Sequence, residues 1–537
     1  MASTIGNVLR LTRAGIVLAQ HGVRFVPTGS RVPLGLYLAR AATLPIRALT
    51  WPFHLRQPKE RRVAGALTSL GPSYIKLGQF LATRPDLIGA ELAHDLGHLQ
   101  DRLAPFAMPQ ARKAIEAALG GRLEDHYVDL SRPVAAASIA QVHRAIVIDA
   151  GAPREVAVKI LRPGIERRFR RDLDSYFFAA RQIERWHAPS RRLRPLAVVE
   201  TLARSVEIEM DMRLEAAAIS EMGDNIASDQ TLPDGRFRVP GVDWRRTAKR
   251  VLTLEWIDGI AISDRAALKS AGHDLKALGL TILRSFLRHA MRDGFFHADM
   301  HQGNLLVDSD GFVVAVDFGI MGRLGPKERR FLAEILHSLI TRDYRRAAAI
   351  HIEAGYVPAH HSVEVFAQAM RAIGEPIHGQ TADQISMADL LGQLFAYTEV
   401  FDMQTRPELL LLQKTMVVVE GVARSLDPAL DIWTAAEPIA KEWIATNYGV
   451  SGRLREAGEG AELMGRVIAE VPRLLEQAER TALALADMAR GGFRLDEDTV
   501  ERLAAAEARH GRSTRLALWL GALALTAMAL WLIMPAG

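Results

Sequence analysis

A segment near the middle of the chain places three oxygen-bearing side chains at fixed intervals. Asp299 is followed five residues later by Asn304, and Asp317 comes thirteen residues after that. Two short strand patterns, Leu305–Val307 and Phe312–Val316, enclose a turn between Asn304 and Asp317. An Asp on a tight loop can orient a hydroxyl or a water, and an Asn with a second Asp supplies the oxygen ligands that Mg²⁺ requires. The spacing therefore predicts a magnesium site for phosphoryl chemistry.

A lysine upstream of this segment extends the pattern. Lys159 ends the β-rich run Glu155–Lys159, where a strand can hold its ammonium against the α- and β-phosphates of ATP. Asp317 opens the triplet Asp317-Phe318-Gly319, which follows a pair of strand patterns. This order predicts kinase-like binding of ATP and Mg²⁺. Lys159 is then expected on the phosphates, with Asp299 as the catalytic residue and Asn304 and Asp317 as metal ligands.

Other kinds of site are less well supported. His297 and His301 are four residues apart, but a zinc protease needs Glu directly after the first His on a helix, and Ala298 in a loop stands there. We interpret His297 as a brace for the catalytic loop, and the remaining histidines, including His360-His361, as solvated or ordinary positions. The glycines of the C-terminal region lack the spacing and the preceding strand of a flavin or nicotinamide site.

Composition limits the class of protein. The 537 residues are 49% hydrophobic and 24% charged, which is typical of a folded chain and excludes collagen-like or largely disordered structures. There is no cysteine, so disulfides, thiolate metal sites and a cysteine nucleophile are excluded. Lys and Arg exceed Asp and Glu by 67 to 62, and a net charge of +5 is too small to indicate nucleic acid as a partner.

The two ends of the chain differ in hydrophobicity. Leu516–Met534 is a run of nineteen residues without a charge, which is about one bilayer thickness of helix. Three arginines precede it, so the positive-inside bias predicts a single-pass anchor in the cytoplasmic membrane with the catalytic part in the cytoplasm. The N-terminal segment is interrupted by two arginines and is not a convincing signal peptide. It is expected to be a helix that lies on the membrane surface or packs against the fold.

Hydrophobic periodicity divides the rest of the chain. Apolar residues recur at helical spacing in Arg61–Leu70, Tyr74–Leu81, Glu91–Leu99, Pro109–Leu119, Ile165–Trp186, Leu196–Glu221 and Leu275–Arg292. Further strand patterns occur at Val142–Ile148, Glu155–Leu161 and Arg250–Trp256. Beyond Pro326 the pattern is helical throughout. No long activation segment fits between Asp317-Phe318-Gly319 and this helix, so a peptide substrate has no obvious place to dock.

Three further motifs identify a family. They are Lys76-Leu77-Gly78-Gln79, the alanine-rich run from Ala135 to His143, and Glu209-Met210-Asp211 with Glu215 six residues after Glu209. Through them the chain resembles the UbiB family of atypical kinase-like proteins, from about Val63 to Tyr356. They match the family's KxGQ signature, the alanine-rich loop that replaces the kinase glycine loop, and its ExD motif. Ala140 departs from the glycine that is usual in that loop. Methyl groups here restrict the approach of backbone N–H groups to phosphate, so the nucleotide is expected to sit differently.

The resemblance implies an α/β kinase-like fold of two lobes with an N-terminal helical extension and a helical C-terminal region. The expected parts are 1–58 (N-terminal helical segment), 59–130 (family-specific extension), 131–260 (N-lobe), 261–430 (C-lobe), 431–513 (C-terminal helices) and 514–537 (anchor). The implied ATP-binding residues are Ala135, Ala136, Ala137, Ser138, Ile139, Ala140, Gln141, Val142, His143, Lys159, Glu215, Glu255 and Ile257. Among these, Glu215 is expected to pair with Lys159, and Glu255 and Ile257 to offer hinge backbone groups to adenine.

In the family, the helix with the KxGQ signature crosses the active site and blocks the usual phosphoacceptor position. Lys76 and Gln79 are then expected to meet the carboxylates of Glu209 and Asp211. On one continuous helix Glu209 and Asp211 lie about 200° apart, so one is expected to face Lys76 and the other the nucleotide.

The function implied by the resemblance is Mg²⁺-dependent ATP binding and hydrolysis at the cytoplasmic membrane face in support of ubiquinone biosynthesis. The expected partners are membrane lipids, polyprenyl phenol intermediates and the enzymes of that synthesis; a homodimer is left open. Two alternatives also stay open: a genuine protein or small-molecule kinase, and a lipid-binding scaffold that uses ATP as a switch.

Overall fold

A computed structural model of the chain describes residues 4–21, 62–82, 103–186, 194–229, 236–378, 400–403 and 407–448, with isolated positions at 88, 92, 95, 96, 99 and 191. The chain divides into two units between Thr446 and Asn447, and all but the last two described residues belong to the first unit. The predicted anchor at 514–537 and most of the predicted helix Glu91–Leu99 lie outside the described residues. Within the described part of the chain, no helix has the length and apolarity needed to cross a membrane.

Helices occur before, between and after the strands along the chain. In the described residues they are α1 (Thr4–Gln20), α2 (Arg62–Leu70), α3 (Pro72–Ala82), α4 (Met108–Leu119), α5 (Ile165–Trp186), α6 (Pro195–Glu209), α7 (Met212–Ser228), α8 (Arg265–Ser270), α9 (Leu275–Arg288), α10 (Pro326–Ile340), α11 (Tyr344–Glu353), α12 (Val363–His378), α13 (Pro407–Leu426) and α14 (Ile432–Tyr448).

The strands form three sheets. In chain order they are β1 (Asp129–Ala136), β2 (Ala140–Asp149), β3 (Ala152–Leu161), β4 (Phe237–Arg238), β5 (Val251–Glu255), β6 (Gly259–Ala261), β7 (Phe295–His297), β8 (Leu305–Asp308), β9 (Val313–Ala315) and β10 (Met321–Arg323). The first sheet has the order β1-β2-β3-β5 and is antiparallel. The second has the order β4-β9-β8-β6, and β10 pairs with β7. This mixture of sheets and helices is the kinase-like α/β architecture expected from the sequence.

The sheet of β1, β2, β3 and β5 is covered on one face by α4. Ile115 of α4 and Tyr127 pack against Val156 and Val158 of β3 in a separate hydrophobic cluster. The Tyr127 hydroxyl also lies 2.7 Å from Oγ1 of Thr253. This packing fixes β3, and therefore Lys159 at its end, against a buried support.

The N-terminal helix α1 packs on the fold. Leu18 and Ala14 are buried in the main core, and Nε of Arg10 donates to Oγ of Ser175 on α5 at 2.7 Å. Leu9 on the same helix is 65% exposed. Of the two expectations for this helix, the described residues support packing for one of its faces.

Two predicted helices are interrupted in the structure. The pattern Leu196–Glu221 was expected as one helix, but α6 ends at Glu209 and α7 begins at Met212 with the Asp211 carboxylate as its N-cap. The chain turns there because the N–H of Met212 donates to the carbonyl of Lys249 at 3.0 Å. The second pattern, Leu275–Arg292, ends as α9 at Arg288 and continues as one π-helical turn. Apolar periodicity continues through both breaks, so it did not reveal them.

Candidate nucleotide-binding site

Lys159 is the centre of an ion cluster. Its Nζ lies 2.7 Å from Oε1 of Glu215 on α7 and 3.1 Å from Oδ1 of Asp317 after β9. The Glu215 carboxylate is buried and also accepts the N–H of Phe318 at 3.4 Å. The contact between Glu215 and Lys159 is the one that the resemblance implies. It connects β3, α7 and the Asp317 segment through a single cation.

The cluster keeps Lys159 and Asp317 charged. Burial alone would lower the pKa of Lys159, but attraction to Asp317 and Glu215 raises this pKa above its ordinary value. Desolvation would raise the pKa of Asp317, but Lys159 and the N–H of Gly319 hold it well below the ordinary range. Burial raises the pKa of Glu215, and this effect exceeds that of its contact with Lys159. A fixed cation therefore stands beside an ionised carboxylate, as joint binding of phosphate and metal requires.

His297 braces the loop that carries Asp299. Its Nδ1 accepts the backbone N–H of Asp299 at 3.0 Å, so Nε2 carries the proton and donates to the carbonyl of Asp317. The ring is buried and packs edge-on against Phe318, with the centroids 4.9 Å apart. Burial lowers the pKa of His297, which favours the neutral ring that this bonding needs. The imidazole thus has the bracing position interpreted from the sequence.

We expect this buried imidazole to make the fold sensitive to acid. The pKa of His297 is lowered from its ordinary value of 6.5, so below that pH the unfolded chain binds the proton more readily than the folded chain. The melting temperature should therefore be maintained above pH 6.5 and fall as the pH decreases below it. The buried rings of His143 and His351 have lowered pKa values as well and add to the effect.

Thermal unfolding followed between pH 7.5 and pH 5 measures this dependence. His297→Asn should reduce the slope below pH 6.5, and His301→Asn, at a ring whose side chain is 51% exposed, serves as the control. A slope that is identical in wild type and His297→Asn would contradict the assignment of a neutral ring.

The predicted metal ligands offer oxygen atoms. Nδ2 of Asn304 donates to the backbone carbonyl of Asp299 at 3.0 Å, which leaves Oδ1 as an acceptor. Oδ1 of Asp317 accepts from Lys159 and from the N–H of Gly319, each at 3.1 Å. Its second oxygen has no hydrogen-bond partner among the described residues. One amide oxygen and one carboxylate are ligands that Mg²⁺ takes, so the donor set fits this ion.

Asp299 is accessible to solvent. Its side chain is 36% exposed, and Oδ2 lies 3.7 Å from Nε2 of His301. The backbone on either side of the carboxylate is held by His297 and Asn304. A fixed but open carboxylate can accept a proton from a hydroxyl or a water.

The segment after Asp317-Phe318-Gly319 is short. Residues 320–325 lead directly into α10, and β10 within them pairs with β7, with Met321 opposite His297. Phe318 is 2% exposed, so it is anchored in the core. As predicted, this stretch is too short for a long activation segment.

The alanine-rich segment forms the tight connection between β1 and β2. The N–H of Ala137 donates to the carbonyl of Ala140 at 2.8 Å. Nη2 of Arg162 donates to the carbonyl of Ala137 at 2.8 Å. The backbone N–H of Arg162 donates to the carbonyl of Ile139, also at 2.8 Å. The turn is therefore fixed by Arg162, just beyond the strand that carries Lys159. Sequence analysis did not identify this arginine, because nothing in its spacing distinguishes it from the many other arginines of the chain.

Strand alternation separates the predicted loop residues into two sets. Val142 lies opposite Lys159 in the register of β2 and β3, so the two share a face of the sheet. Gln141 and His143 lie on the other face. Nε2 of Gln141 contacts Nε2 of His143 at 2.8 Å, and its Oε1 accepts the N–H of Phe106 at 2.8 Å. Gln141 and His143 therefore hold the Phe106 segment against the sheet, which is a different role for these side chains from the predicted contact with ATP.

The predicted hinge follows β5. The Glu255 carboxylate accepts from Nη1 of Arg238 and from the N–H of Gly241, both at 3.0 Å, and its own N–H donates to the carbonyl of Gly241. These contacts leave the side chain of Glu255 occupied. The N–H of Ile257 has no hydrogen-bond partner within the described ranges, so it can donate to a base. The backbone contact of either residue with adenine stays a prediction.

The KxGQ helix is α3. Nζ of Lys76 lies 2.7 Å from Oε2 of Glu209, and the two side chains are 13% and 10% exposed. A Cβ at Gly78 would approach Cδ1 of Leu99 at 2.4 Å and Cδ1 of Leu67 at 2.6 Å, so a larger residue would require these two side chains to shift. Gln79 is partly exposed on the same helix.

Asp211 does not share the contact of Glu209 with Lys76. Its Oδ1 accepts the backbone N–H of Arg213 at 3.1 Å, and its Oδ2 accepts from the guanidinium of Arg213 at 2.6 Å. The predicted angular relation between Glu209 and Asp211 fails because the helix breaks between them. The ExD motif thus combines an ion pair to α3 with the N-cap of the helix that carries Glu215.

Removal of either partner of the Lys76–Glu209 pair should destabilise the protein. Lys76→Met or Glu209→Gln leaves the other group poorly solvated, at a cost of roughly 1–3 kcal/mol and a lower melting temperature. The variant Lys76→Met/Glu209→Gln removes both charges and should recover much of the loss. Thermal unfolding of the four proteins tests the coupling; if the two single effects simply add, the pair has no such role.

Helix α13 supports the loop that carries Asp299. Oγ1 of Thr415 is buried and donates to the carbonyl of Ala298 at 3.0 Å. Nε2 of Gln302 donates to Oγ of Ser425 at 3.0 Å. These positions were not predicted, because they lie more than a hundred residues downstream without a motif.

The chain is similar to known proteins. The ABC1 atypical kinase-like domain matches residues 98–351, and the UbiB helical domain matches residues 370–431, which include all of α13. A probable protein kinase UbiB of Marinobacter nauticus is 38% identical over 81% of this chain and 80% of its own length. That of Xanthomonas euvesicatoria is 37% identical over 87% of this chain and 84% of its own length.

A solved structure is also similar. It is described as the complex of Rv3197 with erythromycin from Mycobacterium tuberculosis, with 23% identity, a TM-score of 0.46, and coverage of 75% of this chain and 97% of that one. The matches to the two bacterial relatives extend over 81% and 87% of this chain. The identity to these bacterial relatives, over most of each chain, shows that this chain belongs to the UbiB family of atypical kinase-like proteins.

Proposed function

We propose that this protein is a Mg²⁺-dependent ATPase that supports ubiquinone biosynthesis at a membrane surface. The observation that carries the proposal is the position of Lys159 between Glu215 and Asp317, next to a loop that fixes Asn304 and Asp299. The phosphates of a nucleotide require a cation, and its metal ion requires carboxylate and amide oxygens. The residues of this site supply both.

Each residue then has a defined task. Lys159 binds the phosphates, Ile257 donates its N–H to adenine, and Asn304 with Asp317 would hold Mg²⁺. The ion, when bound, neutralises charge on the phosphate oxygens. Asp299 orients the attacking water and receives its proton.

Water is the favoured acceptor. The six residues between Asp317-Phe318-Gly319 and α10 are too few to form a docking surface for a peptide, and β10 is already paired with β7. Membership of the family adds that α3 fills the usual acceptor position, and the contact between Lys76 and Glu209 is consistent with a fixed α3. Both observations favour ATP hydrolysis over phosphorylation of proteins.

The lipid and membrane parts of the proposal are supported by the family and by the sequence. The uncharged run Leu516–Met534 is long enough to span a bilayer and follows three arginines. Anchoring would bring the catalytic unit beside polyprenyl phenols and the enzymes that modify them. A compound of that class is the proposed activator.

ATP turnover by the full-length protein tests the proposal. Hydrolysis is measured with detergent alone, with phospholipid vesicles, and with vesicles that contain a polyprenyl phenol, while radiolabelled phosphate in protein and lipid is followed in the same samples. Slow hydrolysis that rises with the polyprenyl phenol supports an ATPase. Stoichiometric labelling of a cellular protein would indicate a kinase, and nucleotide binding without turnover would indicate an ATP-switched scaffold.

We expect the full-length protein to stay in the membrane fraction after washes with high salt and with alkaline carbonate, because a spanning helix inserts effectively irreversibly. A variant that ends at residue 513 serves as the control and should be released. Release of the full-length protein by carbonate would contradict the anchor.

A further inference from the structure

Two neighbouring histidines and an aspartate meet at the start of α12. Nε2 of His361 lies 3.3 Å from Oδ2 of Asp402, and Nε2 of His360 lies 3.8 Å from the same oxygen. The two imidazole rings face each other, with centroids 4.2 Å apart and planes 37° from parallel. Three ligand-type atoms therefore converge from two separate parts of the chain.

The geometry is close to that of a metal site. Nitrogen and oxygen ligands about 2.0 to 2.1 Å from a tetrahedral Zn²⁺ lie about 3.3 Å from one another. The His361–Asp402 distance already has that value, and all three ligand atoms lie within 4.8 Å of one another. His360 is 67% exposed at its side chain, so a rotation of this ring can bring its nitrogen closer without moving the core.

The three side chains are held in place to different degrees. The His361 side chain is 19% exposed and packs edge-on against Phe401, with the centroids 5.5 Å apart. Phe401 is itself buried against Phe366 of α12, at 4.8 Å. His361 and the backbone before Asp402 are thus held in place, while His360 and the carboxylate can adjust to an ion.

We propose that His360, His361 and Asp402 form a site for a divalent transition-metal ion of the Zn²⁺ class. Two imidazole nitrogens and one carboxylate oxygen suit zinc and its neighbours rather than magnesium. Three protein ligands leave a fourth position for water or another ligand. An ion there would connect the turn before α12 to residues 400–403, across the 38 residues from 362 to 399.

The site is independent of the nucleotide chemistry. None of the three ligands belongs to the Lys159 cluster or to the Asp299 loop, and the preference for nitrogen donors separates this ion from the Mg²⁺ proposed beside Asp317. The proposed role of the ion is to fix a segment of the helical region. A negative result for zinc binding would therefore leave the proposed ATPase function untouched, and a negative result for ATP hydrolysis would leave the zinc site untouched.

Zinc binding by the full-length protein, purified without a histidine tag, tests the proposal. Competition of Zn²⁺ with a chromophoric chelator, in the presence of excess Mg²⁺, should show one site that is lost in His361→Ala and Asp402→Asn, with affinities reduced by about 100-fold or more. His273→Ala, which removes a partly exposed histidine outside the cluster, and Asp317→Asn should leave the zinc affinity unchanged.

Co²⁺ and hydrogen exchange provide readouts that a surface ion pair would not give. Co²⁺ should produce visible absorption bands in the wild type that Asp402→Asn lacks, and Zn²⁺ should slow amide exchange in residues 400–403. Equal zinc affinity in the wild type and in folded His361→Ala and Asp402→Asn would overturn the proposal, and so would zinc binding that leaves exchange in residues 400–403 unchanged.

Discussion

Asp299→Asn is expected to reduce ATP turnover by about 10²-fold or more, because it removes the carboxylate that receives the proton of the attacking water. Nucleotide binding should survive, since Lys159, Asn304 and Asp317 remain. The loop should keep its shape, because His297 and Asn304 bond to the backbone of residue 299 and not to its side chain. Steady-state turnover and nucleotide affinity, measured on the same preparation, separate these two effects.

Asp310→Asn is the matched control, because it removes an exposed carboxylate from a turn of the same lobe. It should leave turnover unchanged. Cells that lack the gene should recover ubiquinone with Asp310→Asn but not with Asp299→Asn. If a folded, turnover-dead Asp299→Asn protein restores ubiquinone fully, the scaffold function is favoured over the ATPase.

Asp317→Asn is expected to weaken binding of Mg·ATP by roughly tenfold or more, because a charged oxygen ligand becomes neutral. The pKa of Asp317 is held well below its ordinary range, so the wild-type carboxylate is ionised at neutral pH and its charge is fully available to the metal. Asn retains an oxygen that can accept from Lys159 and Gly319, so the local fold should persist.

Calorimetry with and without Mg²⁺ identifies the cause. Affinity for ATP in the absence of Mg²⁺ should change little or improve, because Lys159 is no longer neutralised by two carboxylates. An unchanged affinity for Mg·ATP in a folded Asp317→Asn variant would remove Asp317 from the metal site.

The local parts of the site could be predicted from sequence because they have strong spacing. Lys159 at a strand end and the series from Asp299 to Asp317 are short-range patterns, and the structure places Lys159, Glu215 and Asp317 in one cluster. The alanine-rich run was treated as one unit, whereas residues from Ala140 onward belong to β2 and alternate between two faces of the sheet. This alternation relative to Lys159 could have separated Gln141 and His143 from the residues on the Lys159 face; their contact with ATP stays a prediction.

The other differences between the sequence predictions and the structure come from long-range contacts. The break between α6 and α7 depends on the carbonyl of Lys249, which no local pattern near Asp211 contains. The middle of β1 is irregular because its register with β2 shifts on both sides of Pro133, and three-residue strands such as β7 and β10 are too short to show periodicity. Tertiary pairing determined these elements, and local propensity did not.

The bonds from α13 to the catalytic loop have a consequence for biosynthesis. Thr415 is 117 residues beyond Ala298, and Ser425 is 123 residues beyond Gln302. A ribosome therefore completes the loop long before it delivers the helix that supports it. At typical rates of about 5–20 residues per second, the loop waits on the order of ten seconds for these partners. Nascent chains that stop before α13 should lack ATP turnover even though every nucleotide-binding residue has already been translated.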